Sequence, residues 1–201
     1  MRNNLRYDPM DQSCEGLCWP ALSGLMTAIA ADADVAGLVN LLDAPFVVQR
    51  IRLRWFTTTA FASAQAMAFR VNKVYGFSAV HTGGTPTAVQ AHYNHQAGIG
   101  TTRAAAVVAT GDRVPLTEIS GVIAGTAAIT TATYTGEDTD EPEVLAMGAG
   151  STLPSVYENY VPPGPPLVLT KNTGLVVNLA ILMGASGVGK LFVGVDGYRL
   201  G

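Results

Sequence analysis

The segment Gly184–Lys190, with the sequence GASGVGK, carries the glycine and lysine residues of a phosphate-binding loop. Such a loop binds nucleotides because its glycine-rich turn leads into a helix whose first amides point at the phosphates, and because a Ser or Thr after the Lys coordinates Mg²⁺. Here Leu191 follows the Lys, and β-branched and aromatic residues continue the segment, as is typical of a strand. We therefore predict a hairpin turn between strands Leu175–Met183 and Lys190–Leu200 that binds no nucleotide.

Other residues that could do chemistry occur in patterns of low specificity. Carboxylates are concentrated in Gly136–Glu143, but they do not match the spacing of an EF-hand, so a solvated loop is favoured over a calcium site. His92 and His95 are three residues apart, which places them on opposite faces of a strand. The chain also lacks a Gly-x-Ser-x-Gly elbow and a His-Glu-x-x-His pair. We predict no catalytic, cofactor-binding or metal-ligating residues and a protein that is not an enzyme; a hydrolase using the acidic loop is the rival hypothesis.

The composition indicates which partners and which cellular environments the protein could have. Only 13% of the 201 residues are charged and 48% are hydrophobic, which is less charge than a free monomer usually carries and indicates burial in an assembly. The formal net charge of -3 predicts no specific nucleic-acid binding. Acidic and amide residues interrupt the apolar stretch before residue 45, which predicts no membrane span, and the first nine residues lack the apolar block of a signal peptide. Cys14 and Cys18 could form a small disulfide loop, although reduced thiols are the default in a protein made in the cytosol.

Residues 1–45 differ from the rest of the chain and are predicted to form an N-terminal arm. Apolar residues between Ala21 and Leu42 recur with a rough helical spacing, which predicts a short helix there. Trp19 lies between a cysteine and a proline and is of the kind that anchors interfaces. The arm could pack on another subunit of an assembly, or its helix could cap one end of the following domain. If the arm packs on another subunit, the predicted interface residues are Trp19, Leu22, Leu25 and Ile29.

The hydrophobic period changes from 3.6 to 2 after Pro45. In Arg50–Trp55 each arginine alternates with an apolar residue, so that Ile51, Leu53 and Trp55 are predicted to face a core while the arginines line the opposite face. That row of arginines is either a solvated, ion-paired face of the sheet or a contact for an acidic partner surface.

Residues 46–201 are predicted to form one mainly β domain, an antiparallel, jelly-roll-like β-sandwich of about nine strands. Turn residues separate successive strand-like segments, and no later stretch has a helical period. Ser151–Pro166 contains five prolines, which predicts an extended connection across the surface. Tyr157 and Tyr160 in this connection are further candidates for an interface or for a ligand platform.

The stretch Arg50–Gly84, RIRLRWFTTTAFASAQAMAFRVNKVYGFSAVHTGG, resembles segments of structural proteins of tailed-bacteriophage virions. The later ISGVIAGTAAITTATY, residues 119–134, is similar to them in its Ala, Thr and Gly content and its low charge. The resemblance implies a head-decoration, cement or collar protein with a jelly-roll-like sandwich, arranged as a symmetric oligomer on the capsid or around the neck. The resemblance identifies no catalytic residue in this chain.

The expected function is therefore that of a non-enzymatic structural component of a virion, assembled in the cytoplasm of a bacterial host. Its expected partners are other virion proteins of the capsid or neck and further copies of itself, with a trimer as one option. The alternative is a receptor- or carbohydrate-binding module on the same fold, for which Tyr157 and Tyr160 are the candidate aromatic residues.

Overall fold

The computed structural model describes residues 14–92, 113–130, 133–139, 143–147, 154–160 and 167–200. These residues form strands, turns and loops, and no helix occurs among them. The expectation of a mainly β protein is confirmed. The twelve strands are β1 (Cys14–Leu22), β2 (Asp34–Asn40), β3 (Phe46–Thr59), β4 (Gln65–Tyr75), β5 (Thr85–His92), β6 (Arg113–Ile123), β7 (Gly136–Thr139), β8 (Glu143–Met147), β9 (Pro154–Tyr160), β10 (Leu167–Leu169), β11 (Thr173–Leu179) and β12 (Val188–Leu200).

All pairings between these strands are antiparallel, and the hydrogen-bonded order is β10-β3-β12-β1-β5-β6-β2-β11-β4-β7. β9 also pairs with β3, and β8 also pairs with β4. The order therefore has two halves, which we call the first layer (β1, β12, β3, β9 and β10) and the second layer (β2, β11, β4, β7 and β8). The hairpin of β5 and β6 joins them, because β5 pairs with β1 and β6 pairs with β2.

The two layers pack face to face around one hydrophobic core. Trp55 of the first layer and Phe69 of the second have ring centroids 6.1 Å apart, and both side chains are fully buried. The predicted alternation in β3 is confirmed, because Ile51, Leu53 and Trp55 are buried in the core while the intervening arginines are only partly buried. Large aromatic side chains from both layers and many aliphatic side chains are buried together in this core.

The helix predicted between Ala21 and Leu42 is wrong. This stretch contains the end of β1, a loop and β2. Ala28 and Asp32 have φ values of 50° and 59°, a left-handed conformation that interrupts a right-handed helix. The apolar spacing arises instead from a strand with both faces covered, since every residue of β2 is buried. The described part of the predicted arm thus contributes a strand to each layer, and residues 1–13 lie outside the described residues.

Two further expectations are corrected by the strand pairings. β11 and β12 do not pair with each other, so the predicted hairpin is wrong: β11 lies between β2 and β4, whereas β12 lies between β1 and β3. The loop 180–187 therefore crosses from one layer to the other. Part of the Pro-rich connection forms β9 beside β3, which is possible because Pro154 is the first residue of this strand. The sequence also predicts a strand over Thr101–Thr110, and this segment lies outside the described residues.

Candidate functional site

One end of the sandwich is built from the loops 23–33 and 180–187, which are joined by hydrogen bonds. Backbone bonds link Met26 with Gly189 in both directions, and the amide of Met183 donates to the carbonyl oxygen of Ile29 at 2.9 Å. The hydroxyl of Thr27 also donates to the carbonyl oxygen of Gly187 at 3.1 Å. These bonds hold the two loops side by side, so the side chains that project from them share one end of the molecule.

Large apolar side chains are exposed at this end. Leu22 closes β1 and Leu25 follows it, with 50% and 46% of their surface exposed; Ile181 and Leu182 in the second loop are 43% and 61% exposed. They are four of the seven large hydrophobic residues that are exposed in the described part of the chain. We call these four residues the apolar end. Clustered exposed apolar side chains are typical of interaction sites, whereas single ones are ordinary.

The residues predicted to form an interface fall into different environments. Trp19 and Ile29 are buried in the core of their own chain, and the indole of Trp19 donates a hydrogen bond to the hydroxyl of Thr87 at 2.8 Å. Leu22 and Leu25 lie at the surface in the apolar end. β9 places Tyr157 opposite Arg54 and Tyr160 opposite Ile51 in the strand pairing; the structure describes only the backbone of β9.

A second surface lies on the outer side of the first layer. Arg50, Arg52 and Arg54 of β3 face outward there, and Lys190 of β12 joins them as the direct neighbour of Phe56. We call these four cationic residues the arginine face. Asp196 is paired with both Arg50 and Arg52, at 2.6 Å and 2.9 Å between nitrogen and oxygen.

Aromatic rings hold two guanidinium groups of the arginine face in place. The guanidinium carbon of Arg54 lies 4.8 Å from the ring centre of Phe56, and that of Arg52 lies 5.9 Å from the ring centre of Phe192. Cations over ring faces at these distances are attracted by the aromatic quadrupole. The Nε atoms of Arg52 and Arg54 are buried and donate no hydrogen bond, so both guanidiniums retain donor capacity.

The glycine-rich segment Gly184–Lys190 has the wrong geometry for a phosphate-binding loop. β12 begins at Val188, so the residues after the lysine form a strand and offer no helix N-terminus to a phosphate. Leu191, where Mg²⁺ binding would require Ser or Thr, is fully buried and donates its amide to the hydroxyl of Ser23 at 2.8 Å. The glycines allow close packing instead, since a Cβ on Gly187 would collide with the ring of Phe61.

A buried polar cluster lies on the outer side of the second layer. Residues 76–84 cover this side together with 129–130 and 133–135; the amide of Ser78 donates to the carbonyl oxygen of Thr133 at 2.9 Å. Beneath this cover, Nε2 of His81 and Oδ2 of Asp34 are 3.8 Å apart, and both side chains are buried. Five of the seven buried side-chain atoms without a hydrogen-bond partner belong here, to Asp34, Asn72, His81 and Asn178.

This cluster combines a histidine with a carboxylate, which are the groups of an acid-base pair. The side chains of His81 and Asp34 are only 1% and 6% exposed, so a substrate could reach them only after the cover had moved. Aromatic contacts join the two segments of the cover. Phe77 packs edge-on against His81, with ring centres 6.0 Å apart, and against Tyr134, with ring centres 5.8 Å apart. The pair therefore lies at the buried contact between the cover and β2.

Tyr134 closes the edge of the cover. Its hydroxyl donates to Oε2 of Glu137 at 3.0 Å, and the side-chain amide of Asn72 donates to the same oxygen at 3.4 Å. Burial, this hydrogen bond and the nearby negative charges of Glu137 and Asp34 raise the pKa of Tyr134 from 10.0 to about 12. Glu137 belongs to the segment predicted to be a solvated acidic loop; residues 136–139 of that segment form β7.

The remaining candidate residues give no site. Cys14 and Cys18 lie four positions apart in β1, so their Cα atoms are about 13 Å apart, too far for the disulfide between them. His95 lies outside the described residues. Within the described ranges, no group of three or more His, Cys, Asp or Glu side chains could hold a metal ion. No helix among the described residues is long and apolar enough to cross a membrane.

No protein-family model matches the chain, and no curated protein or solved structure shows significant similarity to it.

The sequence did not reveal every residue of these sites. Ile181 and Leu182 of the apolar end were missed, because the sequence predicts a strand over Leu175–Met183. The pairing of His81 with Asp34 was missed as well, because the two residues are far apart in sequence. The glycine at position 37 was the available signal, since a glycine inside a buried strand indicates close approach of another group.

Proposed function

We propose that this protein is a non-enzymatic structural component of a bacteriophage virion, which decorates or cements the capsid or neck through contacts between subunits. The observation that carries this proposal is the apolar end. Leu25, Ile181 and Leu182 lie on two loops held together by hydrogen bonds, and Leu22 is the last residue of β1 before the first of these loops, so a partner would meet a preformed surface. If another protein covered these apolar side chains, they would be removed from water, which favours association.

We further propose that the strand order is that of a jelly roll. In this fold, a ribbon of strands rolls up so that successive strands alternate between two sheets. Six pairings support it: β1 with β12, β2 with β11, β3 with β9 and with β10, and β4 with β7 and with β8. β3 also pairs with β12, and β4 with β11, which completes the two layers of five strands each. The β5–β6 hairpin is then an insertion that joins the two sheets along one side.

The resemblance of Arg50–Gly84 to virion proteins and the low charge of the chain support the same function. A protein with 13% charged residues has little charged surface with which to stay dispersed, and subunit contacts remove apolar surface from water. The proposed partners are other proteins of the capsid or neck and further copies of this chain. Assembly would take place in the cytoplasm of the host bacterium.

The test is to locate the protein in purified particles. Particles are isolated from a lysate of the source culture, and an antibody raised against the purified chain is applied for immunogold electron microscopy and quantitative mass spectrometry. We expect regularly spaced label on the head or neck and a copy number in proportion to the major capsid protein. Recovery of the chain only in the soluble fraction, from a lysate that contains intact particles, would refute the proposal.

The role of the apolar end is tested with recombinant protein. Particles that lack the chain are incubated with the purified wild type or with a Leu25→Ser/Leu182→Ser variant. We expect the wild type to rebind and the variant to bind at least about tenfold more weakly, because both substituted positions lose apolar contact. A matched control is Val168→Ser, which changes an exposed apolar side chain in β10, outside the two loops. Equal rebinding of all three proteins would show that the apolar end does not attach the chain to the particle.

A further inference from the structure

The apolar end and the arginine face meet on the outer side of the first layer. Leu22 of β1 pairs with Phe192 of β12, and Phe192 pairs with Arg54 of β3, so these three residues form one row across three neighbouring strands. The adjacent pair, Ala21 and Val193, is buried in the core, which places Leu22 and Phe192 on the opposite, outer face. The two surfaces are therefore continuous through Phe192.

A second row runs beside the first. Met26 forms an antiparallel bridge with Gly189, so Leu25, which precedes Met26, lies beside Lys190, which follows Gly189. Lys190 in turn pairs with Phe56 of β3. Met26 is buried whereas Leu25 is exposed, so this row also faces outward. The two rows together form a surface that we call the mixed patch, with leucines at one side and cationic and aromatic side chains beside them: Leu22, Phe192, Arg54, Leu25, Lys190 and Phe56.

We propose that the mixed patch docks a segment of another protein of the particle that carries large apolar side chains next to carboxylates. Contact with Leu22 and Leu25 removes apolar surface from water, and a carboxylate beside them pairs with Arg54 or Lys190. The proposal names the chemistry of the partner that the apolar end meets, and it therefore rests on the proposed function.

The cationic part of the mixed patch lacks a counter-charge. The neighbouring Asp196 accepts hydrogen bonds from Arg50 and Arg52, at 2.6 Å and 2.9 Å. Arg54 and Lys190 form no ion pair within the described part of the chain. The guanidinium carbon of Arg54 lies 4.8 Å from the ring centre of Phe56. A carboxylate from outside would meet a guanidinium whose orientation is already restricted, which lowers the entropy lost on binding.

The aromatic rings of the mixed patch favour a protein segment over a nucleic acid. Surfaces that bind single strands combine cationic groups with aromatic faces on which bases stack. Here the guanidinium of Arg54 lies over the ring of Phe56, and that of Arg52 lies over the ring of Phe192. These ring faces are already occupied, and exposed leucines form the remainder of the patch.

The charges of the described side chains favour a different protein over a second copy. The mixed patch contains no carboxylate, so two patches facing each other would leave their cationic groups without counter-charges. The five carboxylates whose side chains the structure describes already contact groups of their own chain: Asp32, Asp34, Asp43, Glu137 and Asp196.

The test begins with a selection from yeast-displayed random peptides on the full-length purified chain. We expect the enriched peptides to combine carboxylates with large apolar residues. Two variants each remove one half of the mixed patch: Leu22→Ser/Leu25→Ser and Arg54→Gln/Lys190→Gln. The same selection on the first variant should no longer enrich apolar residues, and on the second it should no longer enrich carboxylates.

The affinity of one enriched peptide for each protein is then measured by fluorescence anisotropy. Each double variant is expected to bind at least about tenfold more weakly than the wild type, because it loses apolar burial or ion pairing. Added salt should weaken binding to the wild type much more than binding to Arg54→Gln/Lys190→Gln. Val168→Ser and Lys171→Gln are the controls, because they change residues outside the mixed patch. Near-ultraviolet circular dichroism and thermal unfolding establish that every variant is folded.

Several outcomes would overturn the proposal. Selection that enriches no peptide, or only peptides without carboxylates, would do so, as would equal binding by the wild type and both double variants. Poly-dT that binds the wild type as tightly as the peptide would indicate a nucleic-acid surface instead. Self-association of the purified chain that both double variants abolish in sedimentation velocity would assign the mixed patch to a contact between copies. Failure of the particle test would leave these readings unchanged, because they involve only the purified chain and defined probes.

Discussion

The imidazole of His81 occupies the space that a side chain on Gly37 would fill. A Cβ built on Gly37 would collide with Nδ1 of His81 and approach the ring carbon Cγ to 2.7 Å. Gly37 lies within β2, in a strand whose residues are all buried. The absence of a side chain at position 37 leaves room for the imidazole of His81, which lies 3.8 Å from Asp34.

We expect Gly37→Ala to lower the free energy of unfolding by about 1–3 kcal/mol, because the added methyl group must displace a buried ring. Urea denaturation measures this change. Gly125→Ala is the matched control, since no atom lies within 4 Å of a Cβ at that position. In the double variant Gly37→Ala/His81→Ala, part of the lost stability should return. Equal effects of the two glycine substitutions would mean that the His81 ring does not constrain position 37.

Trp19 should behave as a core residue. Its side chain is 1% exposed, and its indole lies against Gly121, where a Cβ would collide with Nε1. We expect Trp19→Ala to destabilise the isolated chain by about 3–5 kcal/mol. Leu22→Ala, a change at a half-exposed position of the same strand, should have a much smaller effect. If Trp19→Ala altered association while leaving thermal unfolding unchanged, an interface role for this residue would be favoured instead.

The raised pKa of Tyr134 predicts a loss of stability in alkali. The phenol titrates at about 12 in the folded chain and at 10.0 as an ordinary group, so the unfolded chain loses its proton first as the pH rises. The stabilising contribution is therefore fully present below pH 10 and is lost as the pH rises towards 12. We expect the stability difference between wild type and Tyr134→Phe to shrink above pH 10 in urea denaturation.

An absorbance titration of tyrosinate provides an independent check of Tyr134. One of the seven tyrosines should ionise late in the wild type, and this late step should be missing from Tyr134→Phe. Glu137→Gln should lower the pKa of Tyr134, because it removes the negative charge at the hydrogen-bond acceptor. An unchanged titration in both variants would assign the late step to another tyrosine.

The strands with simple alternation could be predicted from the sequence, and those with two covered faces could not. In β3 one face is core and the other carries arginines, so the period of two is visible in Arg50–Trp55. β2 is buried on both faces, by the core on one side and by the cover on the other, which removes the alternation and leaves an apolar run that resembles a helix. The left-handed residues Ala28 and Asp32 give no sequence signal of the kind that glycine would.

The arginine face could likewise be predicted from the sequence, whereas the apolar end could not. The arginine face was visible in sequence, because its residues are close together on one strand. The apolar end combines residues of two loops that are distant in sequence and are joined by hydrogen bonds, which a local pattern cannot encode. The hairpin prediction failed for a related reason: two strands joined by a short glycine-rich loop usually pair, but here the loop spans the two layers, so each strand pairs with more distant partners.

The last prediction separates the glycines of the segment 184–190 from its lysine. Gly187 is packed against the buried ring of Phe61, and a Cβ there would collide with three ring atoms, so Gly187→Ala should lower stability by about 1–3 kcal/mol. Lys190 is only partly buried and has no ion pair among the described residues, so Lys190→Ala should change stability by less than about 0.5 kcal/mol. Thermal unfolding measures the change in stability of both variants.

The segment 184–190 should also bind no nucleotide. Isothermal titration with ATP and Mg²⁺ should give no binding heat in either variant or in the wild type, because β12 provides a strand where a phosphate would need a helix N-terminus. Binding heat that appears in the wild type and disappears in Lys190→Ala would instead establish a nucleotide site at this loop.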